Sequence, residues 1–128
     1  MKPTTREWVK KADNDFTVAA QILRRRKDVV ADAACFHCQQ CVEKYLKARL
    51  NEAGIAFPLT HDLLRLLNEC VQVEPLWSAY AKMVDRMSNY AVDFRYPGHS
   101  ATLREAKMVL KHCRSLRAEV RRTLGLKK

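Results

Sequence analysis

The chain has 128 residues, of which 48% are hydrophobic and 30% are charged, and its formal net charge is +10. This composition is typical of a soluble globular protein, and the length predicts one domain. No apolar run approaches the roughly 20 residues of a membrane span. The first residues also lack the apolar segment of a secretory signal. We therefore expect a cytoplasmic protein.

The positive charge is unevenly distributed along the chain. Residues 1–27 carry eight basic and three acidic side chains, and residues 100–128 carry nine basic and two acidic ones. The stretch between them carries seven basic and nine acidic side chains. This imbalance favours a polyanion or an acidic protein as partner. A basic run such as 24–27 is equally consistent with a solvated helix end.

The first predicted helix covers residues 5–26. Thr4 and Glu7 have the spacing of a capping box at its start, and apolar residues then recur every three or four positions. These positions are Trp8, Ala12, Phe16, Ala19, Ile22 and Leu23, with Asp15 beside Phe16.

The second predicted helix begins after a cap at Asp28 or Asp32 and ends at Gly54. Its apolar residues form a broad face directed to a core, and this face comprises Ala34, Cys35, Cys38, Cys41, Val42, Tyr45, Leu46 and Ala48. A polar stripe beside that face comprises His37, Gln40, Lys44, Lys47 and Asn51, with Gln39 and Glu43 between the two. Such a stripe exceeds what solubility requires, so it is the first candidate for a functional surface.

The next two predicted helices are separated by a short turn. The third starts at Thr60 or Asp62 and runs to Cys70, which makes it too short for a full bundle member. The fourth opens at Glu74–Pro75, because Pro is tolerated in a first helical turn. Its pattern fails over residues 94–98, where a Pro-Gly pair ends the helix.

The last predicted helix is capped by Ser100 or Thr102 and ends at Gly125. No segment of the sequence alternates as a strand does. Helices joined by short connections predict an all-α fold, an up-and-down four-helix bundle with one additional short helix. We expect residues 1–128 to form a single domain of this kind.

Three of the five cysteines, Cys35, Cys38 and Cys41, follow one another at steps of three. Such spacing can indicate an iron–sulfur or zinc site. Within a helix, however, steps of three spread the side chains around the axis, and no fourth ligand lies nearby in the sequence. We therefore interpret them as small core residues of a reducing compartment and predict no metal and no cofactor.

Two stretches outside the second helix carry candidate acid–base residues. His61 stands at a helix start beside Asp62, which suits either chemistry or simple capping. Arg95, Tyr96 and His99 converge on a Pro-Gly turn. An Arg offers a planar fork for phosphate and a His moves a proton near neutral pH, which is most of what metal-free cleavage of RNA needs. The alternative, which spacing alone favours, is that Arg95 forms a salt bridge and Tyr96 packs at a corner.

Three motifs, in this order, resemble the HEPN domain family (higher eukaryotes and prokaryotes nucleotide-binding). They are the segment from His37 to Ala48, the link from Gly54 to Leu63 with its Thr-His-Asp-Leu end, and the corner from Arg95 to Gly98. The resemblance spans essentially the whole chain. It implies a bundle of four to five helices that often dimerises. Family members act as partners of minimal nucleotidyltransferases in toxin–antitoxin-like pairs, as metal-independent ribonucleases, or as nucleotide-binding modules.

The favoured hypothesis is a homodimeric module of this family that binds a nucleotide or RNA and works with a minimal nucleotidyltransferase. The polar stripe and the resemblance assign the nucleotide- or phosphate-binding residues, which are His37, Gln40, Glu43, Lys44, Lys47, Arg95 and Tyr96. A further hypothesis treats the same stripe as the dimer interface of a purely structural adaptor.

The alternative function is a metal-independent endoribonuclease toxin. In ribonuclease members of the family the resemblance implies an Arg-x(4–6)-His site where two protomers meet. Here Arg95 and His99 are separated by three residues, one fewer than that motif requires. Arg95, His99 and His61 are the candidate catalytic residues, and the sequence leaves the enzymatic activity open.

Overall fold

Helices are the regular elements of this chain, whose computed structural model describes residues 1–94 and 96–128. Within this part of the chain there are five α-helices and no strand. They are α1 (Pro3–Arg24), α2 (Ala31–Ala53), α3 (Leu63–Cys70), α4 (Ala81–Asp93) and α5 (Leu103–Thr123), with a 3₁₀ helix over Pro75–Tyr80 before α4. The all-α fold class is confirmed. The up-and-down bundle stays a prediction.

The central element of the helix packing is α2. It packs against α1, α3, α4 and α5, and α1 also packs against α5. Every residue of the predicted apolar face of α2, from Ala34 to Ala48, is buried, and Leu50 extends this face by half a turn. Because α2 touches each of the other α-helices, it is the element that positions polar side chains from several parts of the chain.

The start of α1 differs from the prediction. The helix begins at Pro3 with Lys2 as its N-cap, and no side chain caps it. Proline suits a first helical position because its φ is already helical and it has no N–H that needs a partner. Thr4 and Glu7 therefore lie inside the helix, and the predicted capping box is wrong. At its other end α1 stops at Arg24, two residues before the predicted end.

The predicted N-cap of α2, at Asp28 or Asp32, is also wrong. Val30 occupies the N-cap position without a side-chain hydrogen bond. Asp28 lies in the preceding link with a φ of 55°, a conformation that Asp adopts more readily than most residues. Asp32 lies in the first turn of α2, and its Oδ1 atom accepts a hydrogen bond of 2.6 Å from the backbone N–H of Ala101. Asp32 thus ties α2 to the segment that precedes α5.

Several other helix boundaries are confirmed. Gly54 ends α2 with a φ of 73°, and the Asp62 side chain caps α3 by accepting hydrogen bonds from two backbone N–H groups. Thr102 caps α5 and forms a complete capping box with Glu105. The fourth predicted helix is divided, because the turn that opens at Pro75 is a 3₁₀ helix and α-helix follows only after it.

The cysteines are buried core residues, as the sequence predicted. All five are free, and Cys113 of α5 faces Cys38 and Cys41 of α2. Burial raises the pKa of Cys35 and of Cys70 from 9.0 to about 12. A hydrogen bond with Cys113, together with burial, raises the pKa of Cys38. No group of His, Cys, Asp and Glu side chains suited to hold a metal ion occurs among residues 1–94 and 96–128.

We predict that the buried thiols of Cys35, Cys38, Cys70 and Cys113 do not react rapidly with Ellman's reagent in the native protein near pH 8, because their raised pKa values leave the reactive thiolate unpopulated. Unfolding returns the Cys35 pKa from about 12 to its ordinary 9.0. Above pH 9 the unfolded chain therefore releases a proton that the folded chain retains. The contribution of the Cys35 thiol to the free energy of unfolding is complete below pH 9 and falls as the pH rises towards 12.

Ellman titration with and without guanidinium chloride, and urea unfolding at pH 8 and pH 10, measure these two effects. The Cys35→Ala variant serves as the control for other groups that titrate in this range, and it should lose less stability between the two pH values than the wild type. Rapid labelling of the native thiols contradicts the prediction.

Candidate functional site

Asp15 on α1 is a buried carboxylate that joins two of the predicted nucleotide contacts on α2. Its Oδ1 atom lies 2.8 Å from His37 Nδ1, and its Oδ2 atom accepts a hydrogen bond of 2.5 Å from Lys44 Nζ. The side chain of Lys44 is 23% exposed and that of Asp15 is 12% exposed. Asp15 therefore holds Lys44 and His37 at the groove between α1 and α2, and it compensates part of the positive charge of Lys44.

Glu43 of α2 is the second buried carboxylate, and it organises four further polar side chains. Its two oxygens lie 3.1 Å from Lys47 Nζ and 2.9 Å from His61 Nδ1. Gln39 donates to Glu43 at 3.4 Å and to the carbonyl oxygen of His61 at 3.1 Å. Gln40 in turn donates to Gln39 Oε1 at 2.7 Å. This network connects the link before α3 to the middle of α2.

Lys47 lies inside the protein. Its side chain is 8% exposed, and its ammonium group contacts the Glu43 carboxylate and lies 5.5 Å from the ring centroid of Trp8. The Trp8 ring also packs edge-on against Phe57, with centroids 6.2 Å apart. The structure thus directs this predicted phosphate contact towards a carboxylate and an indole of its own chain.

His61 presents an oriented imidazole at the surface. Its side chain is 83% exposed, whereas that of its partner Glu43 is 4% exposed. A neutral His61 that donates its Nδ1–H to Glu43 leaves Nε2 as a hydrogen-bond acceptor towards solvent. This arrangement can accept a proton from a bound molecule.

Tyr96 and His99 lie in the link between α4 and α5, and Arg95 lies outside the described residues. Both are exposed, and the hydrogen bond between them joins His99 N to Tyr96 O at 3.4 Å. In the part of the chain that the structure describes, no contact connects them to the networks on α2. The structure gathers the other predicted residues into two networks, with His37 and Lys44 on Asp15 and with Gln40, Lys47 and His61 around Glu43.

Asp13 forms a third polar cluster, which the sequence analysis did not identify. It accepts hydrogen bonds of 3.0 Å from both Arg117 Nε and Arg121 Nη1, and one from the hydroxyl of Tyr45. Burial, followed by the hydrogen bond to Asp13, raises the pKa of Tyr45, so the hydroxyl remains a donor. This cluster joins α1, α2 and α5.

The outer side of α5 carries four exposed cations that we call the α5 basic face. They are Arg104, Lys107, Lys111 and Arg114. At 100° and 1.5 Å per residue they fall within an arc of about 80° and span about 15 Å. None of them forms an ion pair within the described residues, and the two acidic side chains of this helix are engaged elsewhere, Glu105 in the capping box and Glu119 with Trp77 and Arg122. The excess of basic residues after position 100 was the signal in the sequence.

An open cleft of about 340 Å³ lies beside the Asp15 cluster. It is lined by Thr4, Glu7, Trp8 and Lys11 of α1 and by Lys44 of α2. Neither Glu7 nor Lys11 forms an ion pair in residues 1–94 and 96–128. Sequence analysis missed this cleft because Trp8 was assigned to the core stripe, and only the packing of α1 on α2 shows that its indole ring is half-buried.

The chain matches one family model, described as HEPN domain, over residues 5–123. No curated protein and no solved structure matches it. No helix in the described part of the chain is long and apolar enough to cross a membrane.

We predict that Glu43→Gln lowers the free energy of unfolding by about 3 kcal/mol, because it leaves the buried Lys47 ammonium without a counter-charge. Urea unfolding followed by circular dichroism measures the loss. The double variant Glu43→Gln/Lys47→Met should recover most of it, since no unpaired charge then remains inside. Asp85→Asn, an exposed acid, is the matched control and should change stability by less than about 0.5 kcal/mol. A single variant as stable as the wild type would show that the pair is not stabilising.

Proposed function

This chain belongs to the HEPN domain family, whose members are nucleotide- or RNA-related helical modules, and we propose that it binds RNA through the α5 basic face. The observation that carries this proposal is a set of four exposed cations on one helix without acidic partners among the described residues. A phosphate can therefore bind these four cations without displacing a carboxylate of the described residues. Binding of this kind is electrostatic and depends strongly on salt.

The dimensions of the α5 basic face suit one strand of RNA. Its four cations are spread over about 15 Å, so each can pair with one phosphate of a short single-stranded segment. Arg114 also lies 5.7 Å from the ring centroid of Phe16, so its guanidinium is held beside α1. The four side chains contact phosphates and select no base, which predicts little sequence preference at this face.

The polar networks on α2 have two roles in this proposal. His37, Gln40 and Lys44 are half-buried at the α1–α2 groove, and we retain them as nucleotide contacts. Glu43 and Lys47 are buried and paired with each other, so we assign them a positioning role. Arg95 and Tyr96 remain proposed contacts.

The proposed functional unit is a homodimer in the cytoplasm that works with a minimal nucleotidyltransferase in a toxin–antitoxin-like pair. Family membership supports this part of the proposal. An acidic surface of such a partner fits the α5 basic face by the same charge complementarity as RNA. Partner and RNA should therefore compete for it.

We predict that replacing Arg104, Lys107, Lys111 and Arg114 together by Gln weakens binding of a twelve-nucleotide oligouridine about 100-fold at 0.15 M salt. The slope of log K against log salt should fall by about 3, because roughly 0.7 counterions are released per phosphate contact on a single strand. Fluorescence anisotropy over a salt series measures both quantities.

The matched control neutralises the same number of exposed cations at scattered positions, Arg6, Arg65, Lys82 and Lys128. It has the same net charge as the test variant and should keep most of the affinity. An equal loss of oligouridine affinity in the two variants would show that only the net charge matters, and it would contradict a defined RNA-binding face.

A second candidate function is a metal-independent ribonuclease. The specific support is the exposed imidazole of His61, which the buried Glu43 holds by Nδ1. In this reaction His61, through Nε2, acts as the base or the acid, and Arg95 stabilises the negative charge of the phosphorane. His99 is the alternative acid–base residue.

We predict that a ribonuclease of this kind cleaves a mixed RNA pool in the presence of EDTA and that His61→Ala slows cleavage about 100-fold or more. His112→Ala, on α5, is the control and should leave the rate unchanged. Denaturing gel electrophoresis of the products over time measures the cleavage rates. No cleavage by the wild type, or the same cleavage by His61→Ala, rejects this candidate.

A further inference from the structure

We propose that the cleft between α1 and α2 binds a single guanine nucleotide, with the base against Trp8, its edge on Glu7 and its phosphate on Lys11 and Lys44. This inference rests on the proposed RNA function and gives it a site that recognises one base. The cleft volume of about 340 Å³ lies within the range of small-ligand pockets, which begins at about 300 Å³.

Trp8 supplies the stacking wall. Trp8 lines the cleft, and its ring is held by the Lys47 ammonium, 5.5 Å from its centroid, and by a T-shaped contact with Phe57. Because Lys47 is buried, it fixes the indole without filling the cleft. An aromatic wall that is already in place stacks a base at little cost in side-chain entropy.

Glu7 supplies the specificity. Glu7 lines the cleft together with Trp8, and its carboxylate is an acceptor only. Guanine presents two parallel donors, N1–H and the 2-amino group, whereas adenine, cytosine and uracil each present a donor on one nitrogen alone. A carboxylate therefore forms a bidentate pair with guanine that the other bases cannot form.

The two lysines supply the phosphate contacts, one from each side of the groove. Lys11 lies one helical turn after Glu7 and is exposed without an ion pair among the described residues. Lys44 lies on the α2 side, and its ammonium is anchored at 2.5 Å by Asp15, which also binds His37. The Lys44 ammonium keeps further N–H donors for a phosphate oxygen after it has bonded to Asp15. The negative charges of Glu7 and Asp15 oppose the binding of anions that carry no guanine.

The test is titration of the full chain with GMP, AMP, CMP and UMP, followed by tryptophan emission. Trp77 is 1% exposed, so quenching by a nucleotide reports Trp8. We expect GMP to bind about 10- to 100-fold more tightly than AMP, the discrimination of one bidentate pair. Glu7→Gln should remove the preference for GMP, and Lys11→Gln should weaken the binding of all four nucleotides. Asp85→Asn is the control and should change neither the preference nor the affinities. Both Glu7 and Lys11 are exposed, so these variants should fold.

The outcomes separate this proposal from the RNA proposal. Quenching with equal affinity for GMP and AMP, or a preference for GMP that survives in Glu7→Gln, overturns the guanine assignment. Oligouridine binding that depends on the α5 basic face, with no quenching by any of the four nucleotides, overturns the cleft and leaves the RNA proposal standing. Quenching by GMP without oligouridine binding overturns the RNA proposal alone.

Discussion

The candidate site depends on the buried carboxylate of Glu43 and its contacts with Lys47 and His61. Glu43 and Lys47 are 4% and 8% exposed, so each has lost most of its hydration, which costs several kcal/mol per ion. Their mutual contact offsets this cost only while both partners stay in place. Neither group is therefore free to turn towards a ligand. The same carboxylate fixes the imidazole of His61, and through it the link between α2 and α3.

The first helix repeats this arrangement with two further carboxylates. Asp15 binds Lys44 and His37, while Asp13, two residues earlier, binds Arg117 and Arg121 of α5. Residues two apart on a helix point in different directions, so α1 uses one acid for α2 and the other for α5. Each of these pairs keeps some contact with solvent and contributes little by itself. Together they set the orientation of α1 between its neighbours, and with it the cleft beside Trp8.

Periodicity predicted the helices well and their polar partners poorly, for a physical reason. The apolar face of α2 could be read from the sequence because it follows from helical spacing alone. The start of α1 differs from the prediction because two local signals compete there. Thr4 and Glu7 have capping-box spacing, but Pro3 is already suited to a first helical position, and the helix begins at Pro3. Lys44 and Lys47 share one stripe, yet only Lys47 is covered, because the neighbouring helix places Trp8 over it. Which side chain arrives from another helix is long-range information that no local spacing contains.

The distribution of charge links the fold to the proposed functions. The acids that α1 and α2 direct inwards, Asp13, Asp15 and Glu43, are occupied by basic side chains of the same chain. Each pairing removes a carboxylate from the surface without adding a free cation to it. Four cations of the surplus behind the net charge of +10 lie together on the α5 basic face, where no carboxylate of the described residues pairs with them. The residue types of the α2 stripe suggested a phosphate-binding surface, but Lys44 and Lys47 are paired with carboxylates of the same chain. The cations of the α5 basic face have no such partner among the described residues and can therefore bind a phosphate.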